Sequence, residues 1–217
     1  MRQSIFLILL LFAFRSSQEQ TVKNDSLEVA KKDSLQAKHI KDSLRMERLL
    51  SQAQYPLIKN SKWSGALAVQ DIQEKPDPSM KYKLLIESTI WSKDTASWKE
   101  INDGLAEAGR IINLHIAAGV SKENMEVVIV VHARALNVFL QDSIYKRKFK
   151  VRNPNLDILG QFANLNVKLI ACGQAMQFFE FDKKDFIPEV RTALSAKVVL
   201  STYQLKGFVL YQIREEN

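Results

Sequence analysis

The apolar run Val-Val-Ile-Val-Val at residues 127–131 constrains the fold more than any other stretch of the chain. Successive side chains of a β-strand point to opposite faces of the sheet, so a strand with one solvated face alternates apolar and polar residues. A strand that is apolar at every position is buried on both faces, as in a parallel sheet covered by helices. The run therefore predicts an α/β fold.

Strand and helix patterns alternate along residues 80–217, which supports this fold class. Strands are predicted at residues 82–87, 127–131, 167–171, 190–194 and 208–213, with helical patterns between them. Ser97 followed by Glu100 predicts a capping box at the start of the first helix. Together these patterns predict a three-layer α/β/α domain with a mostly parallel sheet of about five strands.

Residues 1–17 have the pattern of a secretory signal peptide. Arg2 supplies the positive charge, residues 5–14 are an unbroken apolar run, and Ser16 and Ser17 precede a polar segment. The apolar run is too short to cross a membrane, so we expect no stable membrane span. We expect an exported, periplasmic protein. Arg15 lies where a small residue is preferred before cleavage, which leaves an uncleaved anchor as the alternative.

Residues 18–54 form a charged segment without glycine, proline or aromatic side chains. The tripeptide Asp-Ser-Leu recurs at residues 25–27, 33–35 and 42–44, but the leucines are too sparse for a coiled-coil seam, which needs two apolar residues in every seven. This composition favours a solvated helical spacer, and a weak coiled coil or a docking helix is the alternative. The globular domain is expected to span residues 55–217.

The charge balance does not indicate a nucleic-acid partner. The formal charge is +7, and loss of Arg2 and Arg15 with the signal peptide lowers it to +5. Residues 145–152 combine basic and aromatic side chains, but such runs are nonspecific. We interpret them as a solvated loop or as one face of an oligomer contact.

The chain's only cysteine stands at the end of a predicted strand. Residues 167–171 are followed by Cys172, then by Gly173 and Gln174, which can turn the chain into a helix. Backbone N–H groups and the positive end of a helix dipole favour a thiolate at such a position. Cys172 is therefore the candidate catalytic residue, and a small buried hydrophobe that closes the strand is the alternative.

Two basic side chains follow the neighbouring run in sequence. The carboxyl ends of parallel strands share one edge of a sheet, so His132 or Arg134 could approach Cys172 and favour its thiolate form if the two strands are adjacent. The chain has no Gly-rich phosphate loop, no cysteine–histidine pair at metal-ligand spacing and no Gly-x-Ser-x-Gly elbow. With 3 His and 1 Cys in the chain, we expect neither a metal site nor a cofactor.

Several segments of residues 80–217 resemble the DsrE/DsrF-like sulfur-relay superfamily. The segments that carry the resemblance are Val130-Val131-His132-Ala133, Asn153-Pro154-Asn155, Val167-Lys168-Leu169-Ile170-Ala171-Cys172-Gly173-Gln174, Ile187-Pro188-Glu189-Val190, Ala193-Leu194-Ser195-Ala196 and Gln204-Leu205-Lys206-Gly207-Phe208. The Cys-Gly-Gln segment is the most specific of these. The signal peptide and the charged spacer are unlike the cytoplasmic sulfur-relay members.

The resemblance implies a three-layer domain that assembles into trimers or hexamers and exchanges sulfur with a donor or acceptor protein. It implies that Cys172 accepts sulfane sulfur as a persulfide, with Gly173 and Gln174 as its turn and helix-entry neighbours. Where many relatives have small residues after the histidine, this chain has Ala133-Arg134. The expected function is thus that of a sulfur carrier with sulfurtransferase-type activity.

Two other functions are compatible with the same residues. The first is a non-catalytic oligomeric binding or scaffold module in which Cys172 is packed and unreactive. The second is a redox sensor that forms an intermolecular Cys172 disulfide, although the chain has no resolving cysteine.

Overall fold

The structure is a computed structural model that describes residues 28, 31–59 and 61–215. The predicted signal peptide lies outside the described residues. The chain divides into two units, with the boundary between Ser51 and Gln52. In the first unit, residues 31–51 form helix α1, whose apolar side chains are largely exposed: Leu35 and Leu44 are each 62% exposed. The spacer role of this segment stays a prediction.

The second unit contains a five-stranded sheet in which every adjacent pair of strands is parallel. Its strands are β1 (Tyr82–Ser88), β2 (Met125–Val131), β3 (Lys168–Cys172), β4 (Arg191–Ala193) and β5 (Val209–Ile213). Their order is β4-β3-β2-β1-β5, so β1 lies between β2 and β5. The predicted α/β class and parallel sheet are confirmed.

Helices cover both faces of this sheet. They are α2 (Asp103–Ala117), α3 (Asp142–Phe149), α4 (Leu156–Asn164), α5 (Gly173–Phe178) and α6 (Ala196–Leu205). Side chains from α2 and α4 pack on the face that includes Ile86 and Ile129, and side chains from α6 pack on the face that includes Leu85 and Val128. We call the second of these the α6 face. No helix in the described part of the chain is long and apolar enough to cross a membrane.

Burial explains the unbroken apolar run in β2. Residues 127–131 are each at most 6% exposed, and their side chains alternate between the two cores. Each position of the run therefore removes apolar area from water, which is the main favourable contribution to folding. The interpretation of the run as a strand buried on both faces is confirmed.

Two local predictions are wrong. Helix α2 begins after Asn102, whose Oδ1 accepts a hydrogen bond from the Gly104 backbone N at 3.0 Å. The Ser97 hydroxyl instead bonds with Asp94 in a separate short turn, so the Ser97–Glu100 capping box does not form at α2.

Helix α3 (Asp142–Phe149) includes residues 145–149 of the basic segment 145–152, so the interpretation of that segment as a loop is wrong for these residues. Asp142 lies in its first turn and basic residues fill its last turn, which complements the helix dipole. The rings of Tyr145 and Phe149, four residues apart, pack with centroids 4.5 Å apart. These contacts favour a helix in a segment whose charge alone indicated a loop.

A buried asparagine on α2 binds the backbone of the residues before the sheet. Asn113 is fully buried, and its Oδ1 accepts hydrogen bonds from the backbone N atoms of Leu57 and Ile58, both at 3.0 Å. Its Nδ2 donates to the carbonyl oxygens of Ile58 and Ser64, both at 2.8 Å. One amide thus satisfies four backbone groups.

We predict that Asn113→Ala lowers the free energy of unfolding by about 3 kcal/mol, because backbone N–H and C=O groups in a buried site lose the hydrogen bonds of this amide. Urea denaturation measures this change. The control is Asn124→Ala, which removes an exposed hydrogen bond to the Pro78 carbonyl oxygen and should cost less than about 1 kcal/mol. Equal losses in the two variants would contradict the prediction.

Candidate functional site

Cys172 is the last residue of β3 and the residue immediately before α5. It is 6% exposed and belongs to the apolar cluster of the α6 face, together with Val130, Ile170 and Val199. Its backbone is extended, with φ −75° and ψ 114°. The sulfur therefore lies where the apolar layer ends at the carboxyl edge of the sheet.

Gly173 and Gln174 fix the entry of α5 against the end of β4. A Cβ atom on Gly173 would lie 2.7 Å from the Ala193 carbonyl oxygen, so the close approach of β4 leaves no space for a side chain. The backbone N of Gln174 donates to the Leu194 carbonyl oxygen at 3.1 Å, while its side chain is exposed. Both residues act through the backbone that follows Cys172.

The strand register brings His132 and Cys172 together. The last registered pair between β2 and β3 is Val131 with Ala171, so the next two residues along are His132 and Cys172. His132 is still extended, and its backbone N continues the ladder by donating to the Ser88 carbonyl oxygen at 3.3 Å. Adjacent strands lie about 4.8 Å apart, so the two backbones are neighbours. Both residues continue the α6-face side of their strands.

Arg134 is placed differently. Ala133 has a φ of +57°, in the left-handed region, and the chain leaves the direction of the strand there. The Arg134 guanidinium then stacks over the Trp91 ring, 5.0 Å from its centroid, and Trp91 packs against the core of the α2 and α4 face. In the described part of the chain, no hydrogen bond joins Cys172 to either His132 or Arg134.

A buried carboxylate that the sequence patterns did not single out lies beside this pair. The Glu87 side chain is 3% exposed and stands on the same face of β1 as Leu85. Its Oε1 accepts from His132 Nε2 at 2.9 Å. Its Oε2 accepts from Gln212 Nε2 at 2.6 Å and from Arg214 Nη2 at 2.9 Å. The ends of two strands, β2 and β5, thus supply three partners for one acid on β1.

These partners keep Glu87 ionised. Burial by itself raises the pKa of Glu87, but hydrogen bonds from Arg214, Gln212 and His132, with the charge of Arg214, outweigh burial and hold the pKa below its ordinary value. A buried carboxylate without such partners would cost several kcal/mol. The cluster is therefore a compensated charge at the edge of an apolar layer.

The sequence pattern of the DsrE/DsrF-like family matches residues 103–211, which are half of the chain. The chain belongs to this family. The matched residues include β2, β3 and α5, and with them His132 and Cys172. Glu87 and Arg214 lie outside the matched range, before and after it.

A solved structure of a protein of unknown function from Methanobacterium thermoautotrophicum is similar to 61% of this chain and 99% of that one, at 15% sequence identity and a TM-score of 0.44. A comparison with curated proteins gave no match.

Two clefts open near the carboxyl ends of β1 and β5. The first, about 580 Å³, is lined by residues that include Trp63, Trp91 and Glu100. The second, about 550 Å³, is lined in part by Asp103 and by Arg214, the side chain that also binds Glu87. Cys172 lines neither cleft. Among the described residues, no group of three or more His, Cys, Asp and Glu is arranged to hold a metal ion.

We predict that Gly173→Ala lowers the free energy of unfolding by about 1–3 kcal/mol, because the new methyl group overlaps the Ala193 carbonyl oxygen. The matched control is Gly160→Ala in α4, where a Cβ meets no atom within 4 Å. That change should raise stability by about 0.5–1 kcal/mol, since alanine is the better helix former. Urea unfolding of both variants checks the prediction, and a stabilising effect of Gly173→Ala would contradict the close approach.

We predict that the stabilising contribution of Glu87 depends on pH. Because its pKa is lowered in the folded protein, the contribution is fully present above the ordinary value of 4.5 and is lost as the pH falls through the folded value. Glu87→Gln should therefore cost about 2–4 kcal/mol at pH 7 and progressively less in acid.

Denaturation of wild type and variant across pH 3–7 measures that difference. The control is Glu126→Gln, which removes the exposed partner of Lys168 and should cost less than about 1 kcal/mol throughout. A Glu87→Gln penalty that stays constant as the pH falls would disprove the assignment of an ionised Glu87.

Proposed function

We propose that this DsrE-family protein is an exported sulfur carrier that holds sulfane sulfur as a persulfide on Cys172. The observation that carries the proposal is the position of the cysteine at the strand end before α5, inside the family-matched segment and in register with His132. Export is proposed from the signal-peptide pattern of residues 1–17, with the periplasm as the destination.

The proposed reaction is a sulfur exchange that needs no oxidant. The Cys172 thiolate attacks the outer sulfur of a donor R–S–SH, a new S–S bond forms to Cys172, and the donor's own S–S bond breaks. The donor leaves as a thiolate and takes up the proton that Cys172 released. The products are the Cys172 persulfide and R–SH. The same exchange with an acceptor thiol unloads the carrier.

We assign the proton transfer to His132 and not to Arg134. An imidazole can accept and return a proton near neutral pH, whereas a guanidinium stays protonated. The contact of Arg134 with Trp91 supports the same choice. Gly173 and Gln174 would hold the turn that presents the sulfur, and the partner would be a protein that donates or accepts persulfide sulfur. We also propose that the protein acts as a homo-oligomer, a trimer or hexamer.

A second function is favoured by one observation, the burial of Cys172 among apolar side chains. A thiol at 6% exposure can serve as a small hydrophobe that packs against Val130 and Ile170. In that case the protein would be a non-catalytic oligomeric module. The two functions differ in the reactivity of the native thiol.

We predict that the folded protein takes up one sulfur atom on Cys172 when it is exposed to inorganic polysulfide at neutral pH. Mass spectrometry should show an increase of about 32 Da on the peptide that contains Cys172, reversed by a thiol reductant. Cys172→Ser should show no increase. Thiol alkylation that is slow at every pH short of unfolding, with no sulfur adduct, would exclude the carrier and leave the packed module.

A further inference from the structure

We propose that Glu87 is a positioning residue in a proton relay: it orients His132, and His132 exchanges a proton with Cys172. The inference rests on the proposed function, since a relay is needed only if the thiol must ionise. It adds to that function the group that orients the base and balances its charge. The three residues come from the ends of β1, β2 and β3, which are consecutive strands in the sheet.

The hydrogen bond between His132 and Glu87 defines which imidazole nitrogen carries a proton. A carboxylate can only accept, so His132 Nε2 must donate in the 2.9 Å contact with Glu87 Oε1. In a neutral imidazole the proton is then on Nε2, and Nδ1 keeps a lone pair. Nδ1 is therefore the nitrogen that can take the proton of a thiol.

The sheet places that base next to the thiol. His132 and Cys172 occupy the register step beyond Val131 and Ala171, on strands about 4.8 Å apart. Glu87 is paired with Val130, two residues before His132, on the other side of β2. His132 thus stands at the end of β2, the strand that lies between the strand of Glu87 and the strand of Cys172.

The remaining contacts of Glu87 suit it to hold His132 still. Its second oxygen is taken by Gln212 and Arg214, so the carboxylate is fixed from the β5 side and presents Oε1 to β2. Because the side chain is 3% exposed, its charge acts in an environment that screens it weakly. The carboxylate therefore presents a fixed negative charge to the Nε2 side of the imidazole.

The relay moves one proton and leaves no net charge behind. The proton passes from Cys172 Sγ to His132 Nδ1 as the thiolate forms. After the thiolate has attacked the outer donor sulfur, the leaving thiolate R–S⁻ takes the proton from Nδ1. Glu87 keeps its charge throughout and exchanges no proton.

The test measures the alkylation rate of Cys172 by iodoacetamide at pH 7, with no sulfur donor present. The variants are His132→Ala, Glu87→Gln, their double mutant and Glu87→Asp, with Glu126→Gln as the matched loss of one carboxylate from the same sheet. Circular dichroism and thermal unfolding verify that each variant is folded. Sulfur loading of the wild type is measured separately.

We expect His132→Ala to slow alkylation about tenfold or more, the change in thiolate fraction that one lost neighbouring charge produces. Glu87→Gln should slow it about threefold to tenfold, and Glu87→Asp should restore part of the rate. In the His132→Ala background Glu87→Gln should have no further effect, because Glu87 acts only through the imidazole. Glu126→Gln should alkylate at the wild-type rate.

Wild-type alkylation in His132→Ala would overturn the relay. The relay would also be overturned if Glu87→Gln slowed alkylation equally in the His132→Ala background, because Glu87 would then act through the structure and not through the imidazole. If Glu87→Gln does not fold, Glu87→Asp with and without His132 gives the same test. If the wild type loads sulfur but the variants are alkylated at the wild-type rate, the sulfur-carrier function is supported and the relay is rejected. If the wild type loads no sulfur but the variants are alkylated more slowly as expected, the relay is supported and the sulfur-carrier function is rejected.

Discussion

Burial of the central strands on both faces is the constraint on which the rest of the structure depends. Leu84, Leu85 and Ile86 are at most 2% exposed, and residues 128–131 of β2 are at most 1% exposed. Such positions exclude polar groups without partners, so polar chemistry is confined to the points where the apolar runs stop. Because all five strands are parallel, these points lie on one edge. The candidate site is therefore the set of residues that follow, or close, each apolar run.

This constraint explains how much could be predicted from the sequence. The fold class and the positions of His132 and Cys172 follow from local patterns, since each of these residues directly follows an apolar run. The role of Glu87 does not follow from local patterns, because an acid at the end of a strand pattern is usually a solvated residue. Its partners Gln212 and Arg214 stand 125 and 127 residues later in the chain. Only the strand order, which places β5 beside β1, makes them neighbours, and no periodicity encodes that order.

Tertiary contacts also decide where the first domain helix starts. Ser97 and Glu100 have the spacing of a capping box, yet Asn102 caps α2. The backbone N of Asn102 donates to Asn155 Oδ1 at 2.8 Å, which ties this helix start to the start of α4. Asn and Ser cap helices about equally well, so a buried long-range hydrogen bond is enough to select one of them. Glu87 was not indicated by the sequence patterns, and the helix cap was predicted at Ser97 instead of Asn102, for the same reason: both depend on contacts between distant segments.

The charge arrangement bears on how a buried thiol can react at all. Glu87 and Arg214 form a compensated pair, with the Arg214 side chain 55% exposed and the Glu87 side chain 3% exposed. If the Cys172 proton moves to His132, the thiolate and imidazolium are a second compensated pair, so the edge of the sheet keeps the same net charge before and after transfer. Creating a single charge at the edge of the sheet would carry the full desolvation cost. Proton transfer between two neighbouring side chains creates two opposite charges together and carries only part of that cost. Burial of Cys172 and reactivity of Cys172 are thus compatible, provided that the imidazole stays hydrogen-bonded to a carboxylate that cannot itself leave the sheet.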